Sequence, residues 1–279
     1  MKILVTGAKG QLGYDIIKEL TSRNIPHKGV DMDDFDITDK SATLAAINGY
    51  QPTAVIHCAA YTAVDKAEDE PELCRQINED GTRNIAQACR QVDAKMIYIS
   101  TDYVFPGHGE HFHKPDDPTA PASVYGETKL AGELAVKAEL EKYFIVRISW
   151  VFGQNGNNFV KTMLRLGKER DILNVVCDQI GSPTYTADLA PLLCDMAVSE
   201  RYGVYHATNE GVCSWAEFAR EIFRLAGMDT KVNPILSSGY PTKATRPLNS
   251  RLDKTCLDEG GFQRLPGWED ALSCVMKET

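Results

Sequence analysis

Two tyrosine–lysine pairs stand four residues apart in this chain, Tyr125 with Lys129 and Tyr14 with Lys18. On a helix that spacing puts a phenol and an ammonium on one face. A free tyrosine, with a pKa of about 10, is a slow proton donor near neutrality. A neighbouring cation favours the tyrosinate and draws the pKa toward the range where a general acid or base works. Such a pair suits proton transfer at a carbonyl oxygen. The spacing alone is a loose rule, so the surroundings must separate the two pairs.

The N-terminus accounts for Tyr14 and Lys18. Lys2-Ile-Leu-Val5 reads as a short buried strand, Thr6-Gly7-Ala8-Lys9-Gly10-Gln11-Leu12-Gly13 follows at once, and Ile16, Ile17 and Leu20 recur at helical spacing. Strand, glycine turn and helix form the setting of a dinucleotide-binding fingerprint, here spaced G-x-x-G-x-x-G rather than G-x-G-x-x-G. The physical needs are a tight turn, a backbone close to a pyrophosphate, and a helix N-terminus with free amides. Gly7, Gly10, Gln11, Leu12 and Gly13 are the expected contacts. Tyr14 and Lys18 fall inside this first helix and read as surface packing.

Asp31 closes Lys28-Gly-Val-Asp31, eighteen residues beyond Gly13, where an acidic side chain should hold the adenosine ribose. It would accept hydrogen bonds from a ribose diol and repel a 2′-phosphate, favouring NADH. Lys9 could pair with that phosphate, which keeps NADPH open. Asp36 and Ile37 are placed near the adenine, as an acidic residue in that loop is in such folds.

With 279 residues the chain can bury a large core, as one big domain or two joined ones. A net charge of −9 argues against a nucleic-acid partner, since no basic face should dominate. The eight cysteines form no C-x-x-C pair, so neither a zinc site nor a disulfide framework is expected. Without a signal peptide or an apolar run near ~20 residues, no membrane partner is expected and the cytoplasm is the expected location.

The elements that must position Tyr125 alternate. Thr53–His57, Lys95–Ser100 and Phe144–Ile148 read as strands, and Glu72–Val92 and Tyr125–Leu140 as helices. Leu73, Ile77, Ile85, Ala88 and Val92 are the apolar positions of the first of these. Repeated βα units imply an α/β protein with a Rossmann-like, doubly wound parallel sheet that binds ligands at the carboxyl ends of its strands. We expect a dinucleotide-binding domain over 1–147 and a smaller, mainly substrate-binding domain over 148–279, with later segments returning to the first. In the second part Thr186–Val198 reads as a helix and Gly203–Ala207 as a strand. Ser214-Trp-Ala-Glu217 carries the capping-box pattern of a helix through Leu225. Phe159, Met163 and Leu166 should form a buried stripe.

A hydroxyl at the end of the Lys95–Ser100 strand could meet the phenol over a substrate carbonyl. Ser100 and Thr101 face opposite sides of an extended strand, so only one can serve. Here the chain resembles the extended short-chain dehydrogenases/reductases, in which the second residue of the pair is catalytic; the resemblance selects Thr101. Within that superfamily several blocks look like the dTDP-4-dehydrorhamnose reductases. They are Ala59-Ala-Tyr-Thr-Ala-Val-Asp-Lys-Ala-Glu68, Ser100-Thr-Asp-Tyr-Val-Phe105, Val124-Tyr-Gly-Glu-Thr-Lys-Leu-Ala-Gly-Glu133 and Ser149-Trp-Val-Phe152. Asn157-Asn-Phe159, Asp178-Gln-Ile-Gly-Ser-Pro-Thr184 and Thr245-Arg-Pro-Leu-Asn-Ser-Arg-Leu252 continue the series.

The resemblance implies reduction of a nucleotide-linked 4-keto-6-deoxy sugar by NADPH or NADH. Tyr125 would supply the proton, Lys129 would hold the nicotinamide ribose and lower the phenol pKa, and Thr101 would bind the carbonyl oxygen. Ala60, Tyr61 and Thr62 would line the cofactor; Asp102, Tyr103, Phe105 and Trp150 would face the substrate. Arg246 is the candidate for the substrate diphosphate, which a guanidinium binds bidentately. Sugar-nucleotide dehydratases carry an Asp-Glu pair after the threonine. Here Tyr103 follows Asp102, which favours simple reduction. The alternatives are a nucleotide-sugar epimerase or a non-catalytic cofactor-binding regulatory subunit. A monomer or homodimer is expected. His108, His111 and His113 lack a further ligand in sequence, and no motif fixes a magnesium site, so no metal is expected.

Overall fold

The structure, a computed structural model, describes residues 1–278. Its first strands are β1 (Ile3–Thr6), β2 (His27–Val30), β3 (Ala54–His57), β4 (Lys95–Thr101), β5 (Tyr143–Ile148) and β6 (Gly203–His206), numbered here over the central sheet. Among the described residues these six run parallel in the order β6–β5–β4–β3–β1–β2. The chain winds outward from β1 to β2, then crosses back to β3. That reversal between β1 and β3 is the switch point at which such sheets open a crevice.

Side-chain alternation divides the core between the sheet's two faces. Ile3, Val5, Ile56, Ile97, Phe144 and Val146 pack against α1 (Gln11–Ser22) and the helix Thr186–Val198. Leu4, Val55, Met96, Tyr98 and Ile145 point the other way, toward α2 (Lys40–Tyr50), α3 (Thr82–Gln91) and α4 (Val124–Glu139). Covered on both faces, the strands are continuous apolar runs. Tyr14 is 41% exposed and Lys18 Nζ lies 5.5 Å from its ring centroid, so this pair sits on the outer face of α1.

The segment expected as one helix over 72–92 is broken in phase. Pro71–Arg75 is α-helical, Gln76–Gly81 makes a π turn, and α3 follows. The wider turn rotates what precedes it, leaving Leu73 42% exposed while Ile85 and Ala88 are buried.

Beyond β5 come α5 (Phe159–Glu169), α6 (Thr186–Val198), α7 (Trp215–Leu225) and α8 (Trp268–Glu278). Helices α5, α7 and α8 share a second core around Phe218 and Trp268. On α5 Val160 and Met163 are fully buried, while Phe159 and Leu166 are packed but partly open. The capping box of α7 is formed: Glu217 N donates to Ser214 Oγ at 3.1 Å and Ser214 N to Glu217 Oε2 at 2.7 Å. Strand β6 and helix α6 rejoin the first core, so a cut after residue 147 would remove an edge strand from the sheet. Among the described residues no helix is long and apolar enough to cross a membrane.

Candidate active site

The turn after β1 is shaped by its glycines. Gly7 has φ +67, and a Cβ there would lie 2.7 Å from the Ala59 nitrogen. A Cβ on Gly13 would strike the Gly7 carbonyl oxygen. The N-cap of α1 is Gly10, whose lack of a side chain leaves the first-turn amides without a side-chain cap. They open on a cleft of about 670 Å³ lined by Gly7, Gly10, Gln11, Leu12 and Gly13. Donors on close-packed backbone at a helix N-terminus fit a dinucleotide pyrophosphate. The loop is pinned from the second half of the chain. Asn155 Nδ2 donates to Lys9 O at 2.7 Å, and Asn158 Nδ2 to Gln11 Oε1 at 3.0 Å.

Asp31, Asp36 and Ile37 line one end of the cleft. Asp31 Oδ2 accepts from Lys9 N at 2.9 Å, and Lys9 Nζ pairs with Asp33 on the open surface. Ala60 and Thr62 also line it. Between them Tyr61 braces the turn: its phenol donates to Glu70 Oε2 at 2.7 Å and its amide to Asn78 Oδ1 at 2.8 Å.

Thr101, Tyr125 and Lys129 meet at the floor of the same cleft. β4 delivers the threonine at its carboxyl end. Helix α4 delivers the pair, started by Ser123, whose Oγ accepts from Gly126 N at 3.2 Å. Lys129 is buried. Its Nζ donates to Ile99 O at 2.7 Å and lies 4.1 Å from the Tyr98 ring centroid. Burial pulls its pKa down to about 7, against the raising effect of Glu133.

The expected lowering of the phenol pKa is not found. Burial pushes Tyr125 up, the hydrogen bond with Thr101 works against this, and Asp102 and Tyr103 add to the rise. The ammonium is meanwhile engaged by the Ile99 carbonyl and the Tyr98 face.

Ser100 and Thr101 diverge. Ser100 Oγ donates to Glu133 Oε1 at 2.6 Å, whereas Thr101 Oγ1 donates to Asp102 Oδ1 at 3.0 Å. Asp102 is 2% exposed and receives a second hydrogen bond from Ser250. Burial outweighs these bonds and raises its pKa to about 6.

Tyr103 joins this cleft to a second one of about 420 Å³, walled also by Gln179, Tyr240 and Arg246. Arg246 Nη2 pairs with Asp65 at 2.5 Å and Nη1 donates to Tyr103 Oη at 3.2 Å. Phe105 also lines the second cleft, with most of its ring packed: at 1% exposure it stacks on His113 with centroids 4.3 Å apart, and Arg147 lies 4.9 Å away. Trp150 lines the main cleft, stacked on Trp215 with centroids 3.7 Å apart. Its φ of +51 is a left-handed conformation costly for a bulky residue, and such strain gathers at functional sites.

Ser250, Asp65, Trp215 and Asn155 escaped the sequence reading as parts of the site. Ser250 lies in a block that carried the resemblance, but its bond to a carboxylate 148 residues away has no local signature. The histidine loop also differs from its reading. Asp117, from the turn after His113, brings a third group, with the donor atoms of His111, His113 and Asp117 within 4.8 Å of one another. Asp117 Oδ2 accepts from Lys114 N at 2.9 Å, and the His113 amide donates to Arg251 O at 2.9 Å, which ties this loop to the residue after Ser250, the partner of Asp102.

Residues 1–279 match the family model described as RmlD substrate binding domain. A dTDP-4-dehydrorhamnose reductase of Streptomyces griseus is 43% identical over 97% of this chain and 91% of its own length. One from Escherichia coli is 38% identical over 100% of this chain and 98% of its own. The crystal structure of the Bacillus anthracis dTDP-4-dehydrorhamnose reductase in complex with NADP superposes with a TM-score of 0.97 at 45% identity. It covers 100% of this chain and 99% of that one. With its cofactor turn, its Thr-Tyr-Lys floor and this similarity along its full length, the chain belongs to the dTDP-4-dehydrorhamnose reductase family of the extended short-chain dehydrogenases/reductases.

Proposed function

We propose that the protein reduces the 4-keto group of dTDP-4-dehydro-L-rhamnose, using NADPH or NADH, to give dTDP-L-rhamnose. The carrying observation is the convergence of Thr101, Tyr125 and Lys129 on one cleft that also receives the glycine turn. A reduced nicotinamide held in this cleft would supply the hydride for the new C–H bond at sugar C4. The C=O π electrons then move onto O4, and Tyr125 Oη releases its proton there. A phenol held above its ordinary pKa is protonated at neutral pH, the state a donor must be in at the start of each turnover. Lys129, one turn along the same helix, would hold the nicotinamide ribose. Thr101 Oγ1 turns from Asp102 toward the developing alkoxide and donates to it, the kind of contact that matters most in the transition state.

Tyr103 stands where an elimination enzyme needs a second carboxylate, which favours reduction. Trp150 and Tyr103 offer faces to sugar and base, and Arg246 offers its guanidinium to the diphosphate by exchanging Asp65 for it. The cytoplasm, as a monomer or homodimer, is the proposed setting. Purified protein given the 4-keto sugar nucleotide and either reduced cofactor should consume cofactor absorbance one-for-one with dTDP-L-rhamnose formed. No oxidation with either cofactor would overturn the proposal.

A further inference from the structure

Lys129 carries its charge in an apolar pocket. Its two contacts, the Ile99 carbonyl and the Tyr98 ring, are dipole and quadrupole, not counter-charge. One turn further along α4 is Glu133, whose side chain is 0% exposed. Glu133 Oε1 accepts from Ser100 Oγ at 2.6 Å and from Arg147 Nε at 2.9 Å, while Oε2 accepts from Arg147 Nη2 at 2.8 Å. Arg147 Nη1 is turned to Pro115 O at 3.0 Å. A carboxylate of the Tyr125/Lys129 helix is thereby locked to β4, one residue before Thr101, and to β5.

We propose that Glu133 is a positioning residue for the reaction: its bidentate anchorage sets Tyr125 and Lys129 opposite Thr101, and its negative charge keeps the Lys129 ammonium protonated. The second half rests on the role given to Lys129 above. The groups that face Lys129 come from every neighbouring element. They are Glu133 and Tyr125 on α4, Tyr98 on β4, His57 on β3, Cys58 on the turn after it, and Cys74 on the helix Pro71–Arg75. Burial keeps Cys58 neutral by raising it to about 12 and keeps His57 neutral by lowering it to about 3. Burial likewise raises Cys74 and Tyr98. Glu133 is thus the one anion of the set, and it is the foremost influence raising Lys129. A purely structural role does not need this charge. Buried ion pairs often only break even against well-packed apolar pairs, and an apolar pair would leave Lys129 without an anion nearby.

The test uses the full chain with ε-13C-labelled lysine, as wild type, Glu133→Gln, Glu133→Asp and the double variant Glu133→Met/Arg147→Met. The double variant removes the carboxylate together with its Arg147 partner, so no unpaired guanidinium remains, and it decides the matter if Glu133→Gln does not fold. Lys129 should titrate by NMR near 7 in the wild type. Removing the carboxylate should move that midpoint down by about half a unit or more, since an opposite charge nearby favours the ammonium. The alkaline fall in kcat should move with it, because the ammonium is lost as pH rises through its pKa. KM should stay within about twofold, as Glu133 lies beneath the site. Glu133→Asp should restore the midpoint in part. An unchanged Lys129 midpoint in a folded variant without the carboxylate overturns the proposal, whatever the activity. If the wild type fails to reduce the sugar nucleotide while the midpoint still moves, the reaction assignment falls and the charge coupling stands.

Discussion

Replacing Lys129 by methionine should abolish turnover and yet make the folded protein more stable at neutral pH. The cost of the lysine can be worked from its burial. An ammonium whose ordinary pKa is 10.5 titrates at about 7 here. A difference of roughly 3.5 units at about 1.36 kcal/mol each is about 5 kcal/mol, an upper bound on what the charge takes from stability. The sign follows from proton counting. Between about pH 7 and 10.5 the unfolded chain binds the proton and the folded chain does not, so the lysine's penalty shrinks as pH rises. Below about pH 7 the full penalty is present. Methionine keeps most of the aliphatic stem and removes the charge. It also orphans the Ile99 carbonyl, costing about 1–3 kcal/mol, and loses the contact with Tyr98, about 1 kcal/mol. The net expectation is a gain of about 1–3 kcal/mol at pH ~6, declining to nothing or a small loss by pH ~10. Urea unfolding of both proteins at pH ~6, ~8 and ~10 measures the difference, and the difference cancels other titrating groups. A Lys129→Met protein no more stable at the low end, or a gap that does not change with pH, would refute the reasoning.

The other expectations concern the cleft. Tyr125→Phe removes the proton donor and should lower kcat about 10²–10⁴-fold with little change in KM, as read by cofactor absorbance. Asp31→Ser removes the carboxylate at the ribose end while leaving Lys9 in place. It should shift the ratio of kcat/KM for NADPH over NADH upward by about tenfold, and a ratio that stays put would assign cofactor choice elsewhere. Trp150→Ala strips the ring stacked on Trp215 and should raise KM for the sugar nucleotide about tenfold, with cofactor KM nearly constant. Equal weakening of both would place the ring at the cofactor instead.

The readable parts of this protein were the local ones. The glycine turn announced itself because backbone clearance at Gly7 and Gly13 is a property of those residues and their immediate chain. Helix α6 and the capping box at Ser214 followed from periodicity and from a hydrogen-bond pattern three residues long. Leu73 was misplaced because one π turn shifts helical phase, and the residues of that turn carry no composition that marks it. The partners of Tyr61 and Phe105 were illegible for another reason. Glu70 takes the phenol of one and His113 stacks on the ring of the other, contacts that packing makes and short spacing does not announce.

Sequence alone determined that a dinucleotide turn opens the chain, that a phenol and an ammonium share a later helix face, and that a threonine ends the strand before them. Those facts depend on residue type and short spacing. Tertiary structure decided what each group does with its charge. It sent the Lys129 ammonium to a carbonyl and a ring, placed Glu133 beneath it with Ser100 and Arg147, and closed Asp102 between Thr101 and Ser250. Proton affinity is set by burial and by partners that arrive from distant segments, and these exist only once the chain has folded.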